Sequence, residues 1–467
     1  MIYLVGAGPG DPGLMTLRGR EVLSKSDVVI YDRLVGDGVL AMISESAEAI
    51  DVGKIPGSHK ISQRDIEDLI ITKAKSGRNV TRLKGGDPFM FGRGGEEAEA
   101  IMRAGLDFEV VPGVSSALAV PAWAGVPATH RDFCGGVNIF TAHDKDNMIP
   151  DFEDATSIFL MGVGNSGELQ RRLLTRLEAK TPCAVIANGT TARQHVIRTS
   201  LGHLHEACGE ISPPAVIVVG KVAELNLDWR GKLPLSDKKI LITRPAGRSE
   251  TLAAMLRDAG AEVVAMPTIK TSVIKNSLDE DISSFDWVGF TSVTGVEAFF
   301  TLLSESGRDV RELGSARIAA IGRATAEALK SHGLRVEFVP EVFDGKNLAE
   351  GLAALASERN EKILMLRALD GTPEIAKVFE AKKITYKELC VYRTDYVKLN
   401  HVPDIDMIIF TSASTVRAFA ASVSGMREVR AVCIGRQTAE EAGRVGFVDV
   451  VVAERATVEA IFKACCS

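Results

Sequence analysis

The chain opens with residues 1–13, MIYLVGAGPGDPG, where a short apolar run leads directly into a loop of glycine and proline. Such a junction is typical of an α/β sheet whose ligand sites lie where parallel strands end. The dinucleotide fingerprint G-x-G-x-x-G is incomplete, because Asp11 stands where its third glycine belongs. Pro9 and Pro12 also remove backbone amides that a pyrophosphate needs. The loop therefore favours a ligand that carries positive charge.

Length and composition indicate a globular protein of several domains. The chain has 467 residues, 46% hydrophobic and 25% charged, which is ordinary for a folded protein. A net charge of -6 argues against a nucleic-acid partner. The seven cysteines form no C-x-x-C pair, which predicts free thiols in a reducing compartment. We see no signal-peptide pattern and no apolar run long enough for a membrane span, so we expect a cytoplasmic protein without a membrane partner.

Short apolar runs alternate with helix-length amphipathic segments along the whole chain. Runs such as VVIY, SIFLMG, CAVIA and AVIVVG lack inward and outward alternation, which predicts strands buried on both faces of a mainly parallel sheet. The alternation indicates an α/β fold. Residues 225–239, LNLDWRGKLPLSDKK, break the pattern before a new strand, so we place the main domain boundary there.

The sequence beyond this boundary is internally repeated. Residues 286–300, DWVGFTSVTGVEAFF, match residues 406–420, DMIIFTSASTVRAFA. Residues 318–333, IAAIGRATAEALKSHG, match residues 431–446, AVCIGRQTAEEAGRVG, in the same order. The repeat predicts two similar α/β lobes.

A second glycine cluster, residues 82–97, RLKGGDPFMFGRGGEE, follows another apolar strand. Together with VGAGPGDPGLMTLRG, YDRLV, VVPGVSSA, AGVPATHRD, MGVGN, ANGTT and PPAVIVVGKV, it resembles the uroporphyrinogen-III C-methyltransferases of the tetrapyrrole methylase family. The resemblance covers residues 1 to about 225. It implies two S-adenosylmethionine-dependent methylations of uroporphyrinogen III, giving precorrin-2, in a cleft between two α/β subdomains. We assign residues 1–226 to this unit, with subdomains at about 1–113 and 114–226, and residues 227–237 to a linker.

The resemblance implies a set of residues that hold the methyl donor: Pro9, Gly85, Gly86, Asp87, Met90, Ser115, Ser116, Met161 and Gly189. Glycines let backbone groups approach the donor, and Asp87 is expected to pair with its ammonium group or ribose. The alternative for residues 85–88 is a plain tight turn.

The resemblance also assigns a proton acceptor to Asp32 and a proton donor to Lys54. The alternatives are a strand-end cap or an ion pair with Arg33 for Asp32, and a solvated surface lysine for Lys54. A polyanionic tetrapyrrole needs cationic groups, because Arg and Lys bind its carboxylates. The candidates are Arg33, Arg82, Lys84, Arg93, His130 and Arg131. Any one of them is also explained as a surface charge.

The repeated half, residues 238–467, resembles uroporphyrinogen-III synthase through ILITRP, VYRT and the two repeated motifs. This family implies a discontinuous lobe one, about 238–272 plus 394–467, around a lobe two of about 273–393. Thr or Ser after a buried strand makes an N-cap, and the free helix amides there can bind carboxylates. The candidates are Thr291, Ser292, Thr411, Ser412 and Thr438, and the alternative is capping alone. Tyr392 matches the family's tyrosine and is expected to protonate the leaving hydroxyl, with structural packing as its alternative.

We therefore expect a bifunctional enzyme that cyclises hydroxymethylbilane to uroporphyrinogen III and methylates it toward sirohaem or cobalamin. S-adenosylmethionine is the expected co-substrate, with no metal, and a homodimer through the methylase half is the expected assembly. Two alternatives remain at this point. One keeps the methyltransferase with a non-catalytic C-terminal binding module, and the other is an NAD-dependent oxidoreductase built on the opening loop.

Overall fold

The computed structural model describes residues 1–53, 61–142, 155–244, 249–275, 278, 281–399 and 401–467. Within these residues the chain forms four five-stranded sheets with flanking helices, which confirms the α/β class. It folds as two compact units: Met1–Pro267 with Leu399–Ser467, and Thr268–Lys398. No helix in the described part is long and apolar enough to cross a bilayer.

The strands, numbered in chain order, are β1 Ile2–Gly6, β2 Val28–Tyr31, β3 Glu48–Asp51, β4 Val80–Lys84, β5 Phe108–Val111, β6 Gly136–Thr141, β7 Ala155–Leu160, β8 Pro182–Ala187, β9 His195–Ser200, β10 Ala215–Val219, β11 Lys239–Ile242, β12 Glu262–Ala265, β13 Ile269–Val273, β14 Trp287–Phe290, β15 Arg317–Ala320, β16 Ile363–Ala368, β17 Tyr386–Tyr396, β18 Met407–Phe410, β19 Arg430–Cys433 and β20 Val450–Val452. The α-helices are α1 Leu17–Ser24, α2 Asp37–Leu40, α3 Gln63–Lys75, α4 Gly94–Arg103, α5 Ser116–Trp123, α6 Ser166–Leu173, α7 Leu204–Gly209, α8 Glu250–Asp258, α9 Val293–Glu305, α10 Arg323–Ser331, α11 Gly345–Ser357, α12 Glu374–Ala381, α13 Ala413–Ser422, α14 Arg436–Arg444 and α15 Val458–Cys466.

The first sheet is parallel throughout, in the order β3-β2-β4-β1-β5. Leu4 packs into a core with residues of α3 and α4, whereas Val5 packs into a second core with residues of α1. Burial of both faces explains why these strands are continuous apolar runs. Because the strands are parallel, their carboxyl ends and the loops that follow lie at one edge of the sheet.

The second sheet departs from the prediction of a mainly parallel arrangement. Its order is β6-β7-β10-β8-β9, and only β6 and β7 pair in parallel. Strand β10 runs antiparallel to both β7 and β8, and β8 runs antiparallel to β9. The continuous apolar runs of β7, β8 and β10 correctly predicted that both faces of these strands are buried. Burial alone does not determine whether neighbouring strands run parallel or antiparallel.

The third sheet, in the order β12-β11-β18-β19-β20, is parallel and belongs to the same compact unit as the first two. The fourth sheet, in the order β13-β17-β16-β14-β15, forms the other unit and is parallel except for β13. The repeated segments form equivalent elements: residues 286–300 cover β14 and the start of α9, and residues 406–420 cover β18 and most of α13.

Candidate active site

At the carboxyl edge of the first sheet, the opening glycine loop lies against the Gly85-Gly86 turn. The amide of Ala7 donates to the carbonyl of Lys84 at 2.8 Å, which continues the pairing of β1 with β4. Gly8 and Gly86 then exchange two backbone hydrogen bonds, of 3.2 and 2.7 Å. The two glycine motifs that the sequence singled out thus form one continuous surface.

Three glycines pack backbone against backbone beneath this surface. A Cβ atom placed on Gly6 would lie 2.5 Å from the Cα of Gly113, and one on Gly113 would lie 2.2 Å from the carbonyl oxygen of Gly86. Neither distance is tolerable, so only glycine fits at these positions. The close approach fixes the main chains of three loops against one another at this edge of the sheet.

Asp87 joins two of these loops. Its Oδ2 accepts a hydrogen bond from the amide of Gly113 at 3.0 Å, and its Oδ1 accepts one from the amide of Phe89 at 2.8 Å. The carboxylate therefore fixes the turn after β4 to the loop after β5. Its contact with the donor's ammonium group or ribose stays a prediction. Each carboxylate oxygen keeps a lone pair that could accept a hydrogen bond from the donor.

The turn after β8 forms the opposite side of the opening loop. The amide of Asp11 donates to Oγ1 of Thr190 at 3.3 Å. A Cβ atom placed on Gly10, whose φ is +151°, would lie 3.6 Å from the carbonyl oxygen of Gly189. Thr190 itself has a φ of 67° and is buried. Thr190 lies in the ANGTT motif but was not among the residues predicted from the sequence.

Most of the predicted donor residues belong to these connected loops. Ser115 caps α5 by accepting from the amide of Ala117 at 3.3 Å, and the amide of Ser116 lies 3.7 Å from a Cβ atom placed on Gly86. Met90 lies within the second glycine cluster and Met161 begins MGVGN, and the two residues are 38% and 47% exposed. The structure thus brings together the loops of Pro9, Gly85, Gly86, Asp87, Ser115, Ser116 and Gly189, and their contact with a methyl donor stays a prediction.

Asp32 directly follows β2, at the edge where the glycine loops meet. Its Oδ1 accepts from the amides of Leu34 at 3.2 Å and Gly85 at 3.4 Å, and its Oδ2 lies 3.5 Å from Nη2 of Arg82. The side chain is 28% exposed. A held but accessible carboxylate at this edge suits a proton acceptor, and that role stays a prediction.

Arg82 and Lys84 lie in a buried cluster with Glu97, each side chain 4% exposed or less. Oε1 of Glu97 accepts from Nε of Arg82 at 3.1 Å and from Nζ of Lys84 at 3.0 Å. Burial, reinforced by the charge of Arg82, lowers the pKa of the Lys84 ammonium group. Two cations enclosed with an acid are poorly placed for direct contact with a large tetrapyrrole. Their predicted carboxylate contacts are not favoured by this arrangement, which instead makes Arg82 a support for Asp32.

Glu97 was missed by the sequence analysis. It lies in α4, is fully buried, and also accepts from Nε2 of Gln63 at 3.2 Å. Its position in RLKGGDPFMFGRGGEE was visible, but adjacent acids in a first helical turn are ordinarily read as surface residues that favour the helix dipole. The only signal was the pair of basic residues in the preceding strand, which require a buried counter-charge.

The other predicted carboxylate-binding residues lie nearer the surface. Arg93 has a φ of 59°, is 55% exposed and pairs with Glu96. His130 accepts from the amide of Asp132 at 3.2 Å through Nδ1, and its ring stacks on Phe133. Arg33 and Arg131 are exposed. Lys54, the predicted proton donor, lies outside the described residues.

In the unit Thr268–Lys398, the predicted residues converge at the end of β14. Ser292 caps α9, where its Oγ accepts from the amide of Gly295 at 2.9 Å. The same Oγ lies 3.0 Å from the hydroxyl of Tyr392 on β17. Thr291 donates its hydroxyl proton to the carbonyl of Leu366 at 3.2 Å. Tyr392 is thus hydrogen-bonded to a helix-capping serine at the carboxyl edge of the fourth sheet.

The equivalent position in the third sheet follows β18. Ser412 caps α13 by accepting from the amide of Thr415 at 3.3 Å, and Thr411 precedes it at the strand end. Thr438 lies inside α14 and is 5% exposed, so its side chain is not placed for direct substrate contact. In this motif the helix instead begins after Gly435, which has no capping side chain.

The fold and these sites define a two-part α/β enzyme, and comparison with known proteins gives its family. The sequence-family model of the tetrapyrrole (corrin/porphyrin) methylases matches residues 1–205. The family model of uroporphyrinogen-III synthase HemD matches residues 250–463. The porphyrin biosynthesis protein HemD of Ruminiclostridium josui is 40% identical, over 98% of this chain and 96% of its own length. The uroporphyrinogen-III C-methyltransferase of Bacillus subtilis is 36% identical, over 72% of each chain.

A solved structure, the Thermus thermophilus uroporphyrin-III C-methyltransferase complexed with S-adenosylhomocysteine, is 37% identical and covers 48% of this chain and 98% of its own, with a TM-score of 0.43. The chain belongs to the family of tetrapyrrole biosynthesis enzymes in which a uroporphyrinogen-III C-methyltransferase domain is joined to a uroporphyrinogen-III synthase domain. It is a bifunctional enzyme of tetrapyrrole biosynthesis.

Proposed function

We propose that the C-terminal half cyclises hydroxymethylbilane to uroporphyrinogen III and that the N-terminal half methylates this product twice to precorrin-2. S-adenosylmethionine is the methyl donor, and the product serves the sirohaem or cobalamin branch. The methylase domain spans residues 1–226 and the synthase domain residues 238–467, joined by the linker 227–237. The observation that carries the proposal is the connected set of glycine loops at the carboxyl edge of the first sheet, in a chain of this family.

These loops fit S-adenosylmethionine better than a dinucleotide. Gly6 and Gly113 let three loops pack backbone against backbone, because a Cβ atom on either residue would lie less than 3 Å from main-chain atoms. Helix α1 begins only at Leu17, so its N-terminus is too far along the chain to meet a phosphate in the opening loop. Asp11 also places a carboxyl group where the third glycine of a dinucleotide loop belongs, and an ionised carboxylate is unfavourable beside a pyrophosphate. These features argue against the NAD-dependent alternative.

Methyl transfer needs an aligned carbon nucleophile and a proton acceptor. A nucleophilic pyrrole carbon of the substrate bonds to the donor's methyl carbon as the C–S bond breaks, and the electron pair passes to sulfur. The methylated tetrapyrrole then loses a proton, which Asp32 accepts. Arg82, held by Glu97, keeps the Asp32 carboxylate in place from behind. Lys54 is the proposed proton donor.

Carboxylate recognition falls to the cations near the surface of the methylase domain. Arg33, Arg93 and Arg131 are exposed, and a guanidinium can bind a carboxylate through two parallel hydrogen bonds. Arg93 is paired with Glu96, so a substrate carboxylate must exchange with that partner. His130 directly precedes Arg131 and is proposed as a further hydrogen-bonding partner of the substrate carboxylates.

Ring closure needs the departure of a hydroxyl group. Tyr392 donates a proton to that hydroxyl, the C–O bond breaks with its electron pair on the leaving water, and an azafulvene cation remains for ring closure. Ser292 fixes the phenol through its 3.0 Å contact. Thr291, Thr411 and Ser412 lie at strand ends beside helix N-termini, where carboxylate arms of the substrate are favoured.

The test supplies the whole chain with hydroxymethylbilane, first alone and then with S-adenosylmethionine. Without the donor, we expect uroporphyrinogen III; the type I isomer alone would mean that the C-terminal half is a binding module. With the donor, mass analysis should show a cyclised tetrapyrrole that carries two added methyl groups. Calorimetry with S-adenosylhomocysteine and with NAD separates the remaining alternative, because preferential NAD binding would overturn the methyltransferase assignment.

A further inference from the structure

The third sheet, which belongs to the synthase domain, contacts the methylase domain through a buried charge network. The network consists of Asp37, Lys239 and Glu262, together with the amide of Ala192. Nζ of Lys239 pairs with Asp37 and lies 3.0 Å from Oε1 of Glu262. Oε2 of Glu262 accepts from the amide of Ala192 at 2.8 Å. Lys239 is 12% exposed and Glu262 8%, so both charges are largely removed from water.

A second set of charges lies beside this network. Nη1 of Arg193 lies 3.0 Å from Oδ2 of Asp406, and Nη2 lies 3.1 Å from Oδ1, which makes a bidentate pair. Nη2 also contacts Asp404 at 3.3 Å. Asp406 in turn accepts from the backbone amide of Lys239 at 2.7 Å. Consecutive residues of one turn of the methylase domain, Ala192 and Arg193, are therefore held by three acids: Glu262 of β12, and Asp404 and Asp406 just before β18.

Both methylase segments in this network are those that pack on the opening loop. Ala192 follows Thr190, whose hydroxyl accepts from the amide of Asp11. Asp37 follows Gly36, and a Cβ atom on Gly36 would lie 2.2 Å from the carbonyl oxygen of Gly10. The charge network is thus only one contact away from the loop that carries Pro9.

The acid of this loop also experiences charges from beyond the methylase domain. The charges of Arg257 and Arg230 oppose the rise that burial causes in the pKa of the Asp11 carboxyl, and the charge of Glu262 adds to it. Arg257 lies in α8, and Glu262 begins β12, both in the third-sheet layer. Arg230 stacks over the ring of Trp123 at 4.7 Å and donates to the carbonyl of Gly260.

We infer that the third sheet positions the methyl-donor loop, so that affinity for S-adenosylmethionine depends on Glu262 and Lys239 although neither touches the donor. The inference rests on the proposed methyltransferase function. Without Glu262, the Lys239 ammonium group retains its ion pair with Asp37, and the amide of Ala192 loses its hydrogen bond to Glu262. The turn at residues 188–194 and the segment around Gly36 then lose a common support, and the loop between them is held less firmly.

The test uses the full-length chain and its Glu262→Ala variant. We expect the Kd for S-adenosylhomocysteine and the KM for S-adenosylmethionine to rise about tenfold, with kcat for methylation and the synthase rate unchanged. Glu262→Gln should recover part of the affinity, because its amide oxygen can still accept from Ala192. A matched control is Asp449→Ala, which removes a partner of Arg430 at the far end of the third sheet and should leave both constants as in the wild type.

A second variant separates positioning from simple loss of folding. Arg193→Met changes a residue that is 43% exposed, so the chain is expected to fold, and the same rise in both donor constants should appear. Wild-type affinity in both Glu262→Ala and Arg193→Met, or an equal fall in kcat for methylation and in the synthase rate, would overturn the inference. Failure of the wild-type chain itself to bind S-adenosylhomocysteine would instead refute the proposed function.

Discussion

The hydroxyl oxygens of Ser292 and Tyr392 lie 3.0 Å apart, across a pairing that links the N-cap of α9 to strand β17. The serine oxygen also accepts from the amide of Gly295. A serine whose lone pair is used by a helix amide is well placed to donate its proton to the phenol. Such a bond orients the phenol and favours release of its own proton toward a leaving hydroxyl.

Replacing Tyr392 with phenylalanine tests this arrangement. We expect the rate of uroporphyrinogen III formation to fall about 100-fold, because a positioned proton donor typically contributes a factor of this size. Methylation of added uroporphyrinogen III should be unaffected. The control is Tyr386→Phe on the same strand, which removes only a contact with Glu380. An unchanged rate in Tyr392→Phe would assign the residue to packing alone.

Asp32→Ala addresses the methylation chemistry. The carboxylate is expected to accept the proton after methyl transfer, so precorrin-2 formation should fall about 100-fold or more. Binding of S-adenosylhomocysteine should persist, because the glycine loops remain. Calorimetry and single-turnover kinetics measure the two separately. Asp68→Ala, an exposed acid on α3, is the control. If turnover of Asp32→Ala equals that of the control, Asp32 has no part in the mechanism.

Gly113→Ala tests the backbone packing beneath the donor site. The new Cβ atom would lie 2.2 Å from the carbonyl of Gly86 and 2.7 Å from the Cα of Gly6, so the loops must separate. We expect loss of S-adenosylhomocysteine binding and a lower melting temperature. Gly95→Ala is the control, since a Cβ there meets no heavy atom of the described residues within 4 Å. In α4 that change should stabilise the chain by about 0.5–1 kcal/mol. Normal donor binding by Gly113→Ala would show that the loops tolerate separation.

The sequence predicted the parts of the molecule that depend on local pattern. Apolar strands followed by glycine turns identified the loops around Gly8 and Gly86, and the duplicated FTS motif identified the strand ends at Ser292 and Ser412. Contacts between segments that are distant in the chain could not be predicted from local sequence pattern. Antiparallel insertion of β10, the burial of Glu97 against Arg82, and the contact of Glu262 with Ala192 each depend on packing that leaves no periodic signal. Thr438 was selected by its motif, but packing buries its side chain in α14, which the motif alone does not reveal.

Asp11→Asn tests the cost of the buried acid in the opening loop. Burial raises the pKa of the Asp11 carboxyl above 3.8, although the amide of Gly13 and the charges of Arg257 and Arg230 oppose the rise. Because the folded state then binds the proton more tightly than the unfolded state, wild-type stability falls as pH rises through the interval between the two pKa values. Asparagine carries no charge and retains an oxygen that can accept from Gly13.

We therefore expect Asp11→Asn to melt at a higher temperature than the wild type near neutral pH. The difference should shrink as the pH is lowered, because the wild-type carboxyl takes up its proton at a higher pH in the folded state than in the unfolded state. Melting curves of both proteins over a range of acidic pH measure the effect, with Asp27→Asn, an exposed acid just before β2, for comparison. A difference that is independent of pH would mean that the change acts through packing and not through the charge of Asp11.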